Sequence, residues 1–370
     1  MRVVHVFRSP VGGLFRHVCD LVEAQNNAGM QIGIICDTLA GGDYSNRLIA
    51  SLEERCSLGV HRFAMPRMPS LADFSNTRRA TDLVRQMNPD ILHGHGSKGG
   101  LYARLAGRRI DRPSIYTPHG GVLNYHWASL SGPLFLGSEM ILARIGSGFA
   151  FVCEYERETF NHKIGILGRP YIVVHNGLWP REFQPVAPNA DATDLLFAGE
   201  MRYNKGVDLL LEAMVILNRD RRVTLTLAGD GVQFEEYKAL AKTLGTDEYV
   251  QFVGRMPIQQ AFAKGRIFVS PSRFESFPYV IMEAIAADLP IVSTDVGGIA
   301  EVLPKSMLTS AVDAPAIANK INEFLSNEPA AKAAARSLSE RVKLTTTAND
   351  MAKKIIGLYE TLLSQKAAKS

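Results

Sequence analysis

The sequence predicts an α/β protein built from two doubly wound domains. Three observations carry this expectation. Short β-rich runs that end in turns and lead into helical periodicity recur through residues 3–153, and again from residue 194 onward. Between the two series lies a stretch holding Pro180, Pro185 and Pro188 with few periodic apolar residues, the composition of a linker. The 370 residues suffice for two domains, and 46% hydrophobic with 21% charged residues is ordinary for a globular chain. The expected boundaries are 1–178, a linker over 179–192, a second domain over 193–350 and a terminal helical segment over 351–370.

In the first series, Val3 to Phe7 reads as a strand, Pro10 to Gly13 as a glycine turn, Leu14 to Asn27 as a helix and Gln31 to Asp37 as the next strand. Gly12 and Gly13 let backbone approach a ligand at the carboxyl edge, where open α/β sheets bind, although the spacing is not GxGxxG. A strand from Asp90 then feeds a loop with His93 and His95, followed by a helix from about Leu101 to Gly107. That loop is expected to face an acceptor. Two histidines without a third ligand at metal spacing make a weak metal signal. Ser114 to Thr117 is a strand whose polar turn puts His119 at the sheet edge, either capping the loop or facing the same crevice as Gly12. Part of residues 122–147, with Tyr125, Trp127, Leu134, Phe135, Leu136 and Ile141, reads as helix packed on the sheet; core is the expectation for these apolar residues, and exposure to an acceptor or a bilayer interface is the alternative. The strands Phe149 to Cys153 and Tyr171 to Val174 complete the domain.

The second series opens with a strand through Ala198, a basic loop carrying Arg202 and Lys205, and a helix to about Leu217. Lys205 offers a point charge and Arg202 a fork of donors, a pairing suited to a diphosphate. Val223 to Ala228 is a strand with a glycine turn and a helix to Leu244, and Val250 to Val253 leads into the loop Gly254 to Pro257. Arg266 to Val269, the loop from Ser270 and a helix opening at Pro278 follow. The amides of Tyr279 and Val280 at that helix end would attract phosphate. Glu275 precedes the helix end and Glu283 lies inside it, two acceptors for hydroxyls of a sugar and a ribose. Helices over 315–325 and 329–343 and an amphipathic helix from Met351 to Ser364 end the chain.

The run Phe274-Glu275-Ser276-Phe277 through Glu283-Ala284, then Pro290-Ile291-Val292-Ser293-Thr294-Asp295-Val296-Gly297-Gly298, resembles the Glu-x7-Glu region of glycosyltransferase family 4. These are retaining enzymes of GT-B architecture, and the resemblance spans nearly the whole chain. It implies two Rossmann-like domains facing across a cleft, with the last helix returning to the first domain. It also implies a nucleotide-diphosphate sugar as donor. Carried onto this chain, it puts Arg202, Lys205, Tyr279 and Val280 on the diphosphate, Glu275 and His119 on the transferred sugar and Glu283 on the ribose. Gly12 and Gly13 would face the diphosphate from the N-terminal side, Gly254 and Met256 the base, and Phe277 belongs to the donor-binding loop. One position departs: many members carry Arg directly after the glycine where this chain has Glu200, so Arg202 is expected to take that role. No Asp-x-Asp is present, and neither metal nor other cofactor is expected.

The net charge is +4, and between Arg55 and Arg112 eleven basic residues accompany four acidic ones. Such a run suits an anionic membrane surface or an acidic lipid-linked or lipopolysaccharide acceptor. Nucleic acid is the weakest option and is not expected as a partner, since no binding module is visible and aromatics are not interleaved with the charges. No apolar run is long enough to cross a bilayer, and the N-terminus reads as a strand rather than a signal peptide, which suggests a cytoplasmic protein in peripheral contact with the inner membrane face. Cys19, Cys36, Cys56 and Cys153 form no CxxC pair and read as small core residues. A nucleotide-sugar epimerase of the same architecture and a non-catalytic scaffold of an envelope-polysaccharide complex are the rival readings.

Overall fold

The computed structural model describes residues 1–40 and 42–368. They form two compact units, one of Met1–Asn176 with the segment from Ala348 onward, the other of Gly177–Thr347.

The first unit is built on β1 (Arg2–Phe7), β2 (Gln31–Asp37), β3 (Val60–Phe63), β4 (Ile91–His95), β5 (Ser114–Thr117), β6 (Gly148–Phe151) and β7 (Tyr171–Val173). The strands pair in parallel in the order β3-β2-β1-β4-β5-β6-β7. Helices cover both faces, so β1, β4 and β5 are almost wholly buried. Val4, Val6, Ile35, Val84, Leu92 and Ala103 fill one layer, and Phe149, Phe151 and Phe160 belong to a second cluster. The helix Gly12–Asn27 buries Phe15, Val18, Leu21 and Val22, the spacing of one helical face. Beside it packs the final helix, Ala348–Ala367, through Met351, Ile355, Leu358, Tyr359 and Leu362, so the chain returns to its first unit.

Several local expectations are corrected here. Gly12 and Gly13 open the first helix instead of preceding it. His93 and His95 lie within β4, 0% and 1% exposed, and the next helix is Gly96–Arg109, so the expected acceptor loop is strand and helix. The glycines that suggested a loop serve close packing. A Cβ at Gly99 would stand 2.1 Å from the Val6 carbonyl oxygen, and one at Gly100 2.4 Å from the Tyr116 ring. In residues 122–147, Leu136, Leu142 and Ala143 are buried, but Trp127, Leu130, Leu134 and Ile141 are exposed. The basic run is not all surface either. Arg104 is fully buried, lies 4.0 Å over the Tyr116 ring and forks onto Glu139. Lys98 is buried on Asp73 at 2.6 Å.

The second unit carries β8 (Thr193–Ala198), β9 (Leu225–Ala228), β10 (Val250–Gly254), β11 (Gly265–Ser270) and β12 (Ile291–Ser293), parallel in the order β10-β9-β8-β11-β12. The strand order reverses between β8 and β11, which creates a switch point at their carboxyl ends. Helix Val207–Leu217 buries Leu210, Leu211, Met214 and Leu217 against this sheet. Helix Tyr279–Ala286 buries Ile281, Met282 and Ile285, and Pro278 stands at its N-cap position, just before the first turn. Among the described residues no helix is long and apolar enough to cross a membrane. The four cysteines are free, and burial pushes the thiols of Cys19, Cys36 and Cys56 up to about 12, out of reach of nucleophilic chemistry.

Candidate functional site

The switch point of the second sheet gathers most of the predicted residues. The loop after β8 ends in a short turn, Tyr203–Lys205, and the loop after β11 carries Glu275. Lys205 Nζ donates to Glu275 Oε1 at 2.5 Å, with side chains only 15% and 10% exposed. Ser272 Oγ donates to the same oxygen at 2.8 Å. Among the described residues both of these bonds fall on Oε1, so Oε2 keeps acceptor capacity. Lys205, expected on a phosphate, is thus also the counter-charge of the carboxylate expected on the sugar.

Further contacts stitch the two loops together. Arg273 forks onto Asp208 at 2.7 and 2.6 Å, and its Nη1 also donates to the Tyr203 carbonyl at 3.0 Å. Its guanidinium lies 4.3 Å over the Tyr203 ring. Gly206 has φ +67, and a Cβ there would come within 2.0 Å of the Pro271 carbonyl oxygen. From the far side the turn after β12 presses on the glutamate loop. Gly297 has φ +63, a Cβ on it would stand 2.1 Å from the Glu275 carbonyl oxygen, and the Gly298 amide donates to the Ser276 carbonyl at 2.8 Å. The sequence assigned no role to Ser272, Arg273, Asp208 or Gly206. An Arg and an Asp 65 positions apart signal nothing until the switch point joins them.

The other predicted residues distribute around this centre. Glu283 is half-buried on helix Tyr279–Ala286, whose amino end follows the glutamate loop directly. Phe277 and Tyr279 are 4% and 5% exposed, so their side chains are core and only their backbone can serve a ligand. Val280 is half-buried beside them. Gly254, φ +71, closes the edge strand β10, with Met256 just beyond. Arg202 pairs with Glu200 at 3.3 Å, both about half exposed, so the departure at Glu200 supplies the partner of the arginine expected to compensate for it.

On the first unit, Gly12, φ +67, is exposed at the end of β1, with nothing within 4 Å of the point where a Cβ would stand, and Gly13 is exposed beside it. His119 is half-buried after β5 in a left-handed conformation, φ +54, that only a few per cent of non-glycine residues adopt. The Gly120 amide donates to buried Glu156 at 2.6 Å and holds that turn. His119 Nε2 meets His95 Nδ1 at 3.2 Å, His95 Nε2 meets His5 Nδ1 at 3.0 Å, and His5 Nε2 meets Gln25 Oε1 at 2.8 Å. His93 bonds Tyr359 at 2.7 Å and Thr117 at 2.8 Å. Burial holds His5 and His17 down near 4 and His93, His95 and His119 well below the ordinary value, so the cluster is neutral near pH 7. The sequence showed His93 and His95 without a third ligand; β1 and helix Gly12–Asn27 bring His5 and His17 to them.

Comparison with known proteins bears on the fold and the family. The family model described as glycosyltransferase family 4 matches residues 11–180, and that described as glycosyl transferases group 1 matches residues 192–327. The chain is 25% identical over 364 residues to a glycogen synthase of Mycobacterium tuberculosis, covering 90% of this chain and 87% of that one. It is 25% identical over 299 residues to the phosphatidylinositol N-acetylglucosaminyltransferase gpi3 subunit of Schizosaccharomyces pombe, covering 77% and 64%. Among solved structures, a sucrose-phosphate synthase from Thermosynechococcus elongatus superposes with TM-score 0.83 at 20% identity over 99% of this chain and 100% of that one. HepE of Anabaena, solved in complex with UDP-glucose, gives TM-score 0.80 at 20% identity over 98% and 100%. With a family 4 domain on the seven-stranded sheet and a group 1 domain on the five-stranded one, the chain belongs to the glycosyltransferases of the GT-B fold.

Proposed function

We propose that the protein is a retaining hexosyltransferase that moves a sugar from a nucleotide-diphosphate donor to a hydroxyl acceptor. The observation that carries the reading is the Lys205–Glu275 pair at the switch point, immediately before the amino end of helix Tyr279–Ala286. Cation, carboxylate and helix end together match a leaving diphosphate beside a sugar. The donor's C1–oxygen bond breaks, the acceptor oxygen bonds C1 from the same face, and its proton passes to a diphosphate oxygen. Lys205, Arg202 and the amides of Tyr279 and Val280 stabilise the departing charge, Glu275 Oε2 accepts a sugar hydroxyl, and Glu283 accepts the ribose hydroxyls. Gly12, Gly13, Gly254 and Met256 complete the donor's contacts through backbone, and His119 addresses the transferred sugar. No step of this chemistry calls for a metal. Anabaena HepE, solved with UDP-glucose, supports a nucleotide-sugar donor.

The acceptor is proposed to be lipid-linked or a lipopolysaccharide or exopolysaccharide precursor, met at the inner face of a membrane. Exposed Leu71, Phe74, Trp127, Leu130, Leu134 and Ile141 support a lipid-facing first unit. The test is thermal stabilisation by UDP-, GDP- and ADP-sugars with Glu283→Ala and Lys205→Ala as controls. Stabilisation by one base, lost in both variants, is expected. Indifference to every donor would overturn the reading.

A further inference from the structure

Five of the nine histidines, His5, His17, His93, His95 and His119, converge in the first unit, more than sugar recognition requires. We propose that His17, His95 and His119 form a three-imidazole site for a divalent transition ion of the zinc type at the carboxyl edge of the first sheet.

The geometry of the three rings suits a shared ion. Their candidate ligand atoms lie within 4.8 Å of one another. Ring centroids are 4.8 Å apart for His17–His119, 5.6 Å for His17–His95 and 5.5 Å for His95–His119. With zinc–nitrogen bonds near 2.05 Å, a tetrahedral ion sets its nitrogens about 3.3 Å apart. His95 Nδ1 and His119 Nε2 already stand 3.2 Å apart. His17, whose ligand atom lies within 4.8 Å of theirs, has up to about 1.5 Å to close by side-chain rotation on the same tetrahedral requirement.

Hydrogen bonds on the outer side aim the lone pairs inward. His17 Nδ1 faces the Asn176 amide oxygen at 2.9 Å, an acceptor, so Nδ1 carries the proton and Nε2 the lone pair. Among the described residues that Nε2 has no hydrogen-bond partner, and it is buried on a residue only 1% exposed. Gln25 Oε1 likewise fixes the proton of His5 on Nε2, so His5 Nδ1 accepts from His95 Nε2 and leaves His95 Nδ1 with its lone pair toward His119. Ligating histidines are oriented in this way by their outer nitrogen. His119 shifts its own proton to Nδ1 when Nε2 takes the ion. As the half-exposed member it is also the entry path. Burial keeps all three rings in the neutral form that binds metal. The neighbouring trio His5, His93 and His95 is the poorer candidate, because Gln25, Tyr359 and Thr117 already occupy its nitrogens.

An ion here withdraws His119 from the sugar and so opposes transfer; that consequence rests on the proposed function, whereas the site does not. The experiment titrates the purified protein with Co²⁺ alone, followed by Zn²⁺ displacement. Expected are one equivalent bound, the intense visible absorption of four-coordinate Co²⁺, and its bleaching by one equivalent of Zn²⁺. His17→Gln and His119→Ala should each weaken binding at least tenfold, and exposed His162→Ala should leave it unchanged, with melting curves confirming that each variant folds. No absorption, a six-coordinate spectrum, or binding indifferent to His17→Gln and His119→Ala would overturn the proposal. Failure of the donor reading would appear in the nucleotide thermal shifts and leave the cobalt titration untouched.

Discussion

Gly297→Ala should disable the enzyme from a position that itself contacts no substrate, by displacing the backbone of Glu275. The added methyl carries two penalties. At φ +63 a non-glycine residue loses about 1–2 kcal/mol to left-handed strain. The Cβ would also stand 2.1 Å from the Glu275 carbonyl oxygen and 2.7 Å from its carbon, so the glutamate loop must retreat. Ordinary contact lies beyond 3.4 Å, which makes that retreat about 1 Å, and a misplacement of this size lowers turnover roughly 100-fold. Gly245→Ala is the matched control: φ is +66, nothing lies within 4 Å of its Cβ, and it follows helix Phe234–Thr243 away from the strand-end loops. Both variants should lose about 1–2 kcal/mol from strain, with a further loss in Gly297→Ala, and only the latter should lose turnover. The assay is nucleoside-diphosphate release from whichever donor stabilises the wild type, with melting curves run alongside. Turnover of Gly297→Ala within about threefold of Gly245→Ala, against the roughly 100-fold expected, would refute the claim that the turn after β12 positions Glu275.

Two further outcomes follow from burial. His5 and His17 titrate near 4 in the fold against 6.5 ordinarily. Above about pH 6.5 neither form is charged, so their contribution is complete there. As pH falls from 6.5 toward 4, the unfolded chain takes up protons that the fold refuses. Stability therefore drops by about 1.4 kcal/mol per unit for each histidine. Urea midpoints at pH 7.5, 6 and 5 should fall steadily, and a flat profile would contradict a neutral buried cluster. Arg104→Leu leaves Glu139 buried and unpaired and should cost about 3–5 kcal/mol in urea unfolding, whereas Arg104→Leu with Glu139→Leu should recover most of it. A single variant within 1 kcal/mol of wild type would show that the pair is solvated.

Much of the protein was legible from local pattern. Strand, glycine turn and helix recur at spacings that leave few alternatives to parallel sheets, and the Glu275 to Glu283 region identified the family because those residues are neighbours along the chain. The same locality explains the misreadings. Gly99 and Gly100 look like loop residues until the sheet shows Val6 and Tyr116 pressed against the helix Gly96–Arg109. Arg104 counts as surface charge until Glu139, 35 positions away, meets it in the core.

The sequence by itself determined most of the elements, the two-domain plan and the family, because propensity, periodicity and contiguous motifs act over a few residues. Only the tertiary structure decided which distant residues share a site. Strand order brings the loops after β8 and β11 together, so Lys205 meets Glu275 across 70 positions and Arg273 meets Asp208 across 65. Parallel register sets His5 of β1 beside His93 of β4, and the return of the last helix puts Tyr359 against the cluster they begin. Such pairings are set by burial and hydrogen bonding summed over whole sheets, and a linear pattern carries no record of them.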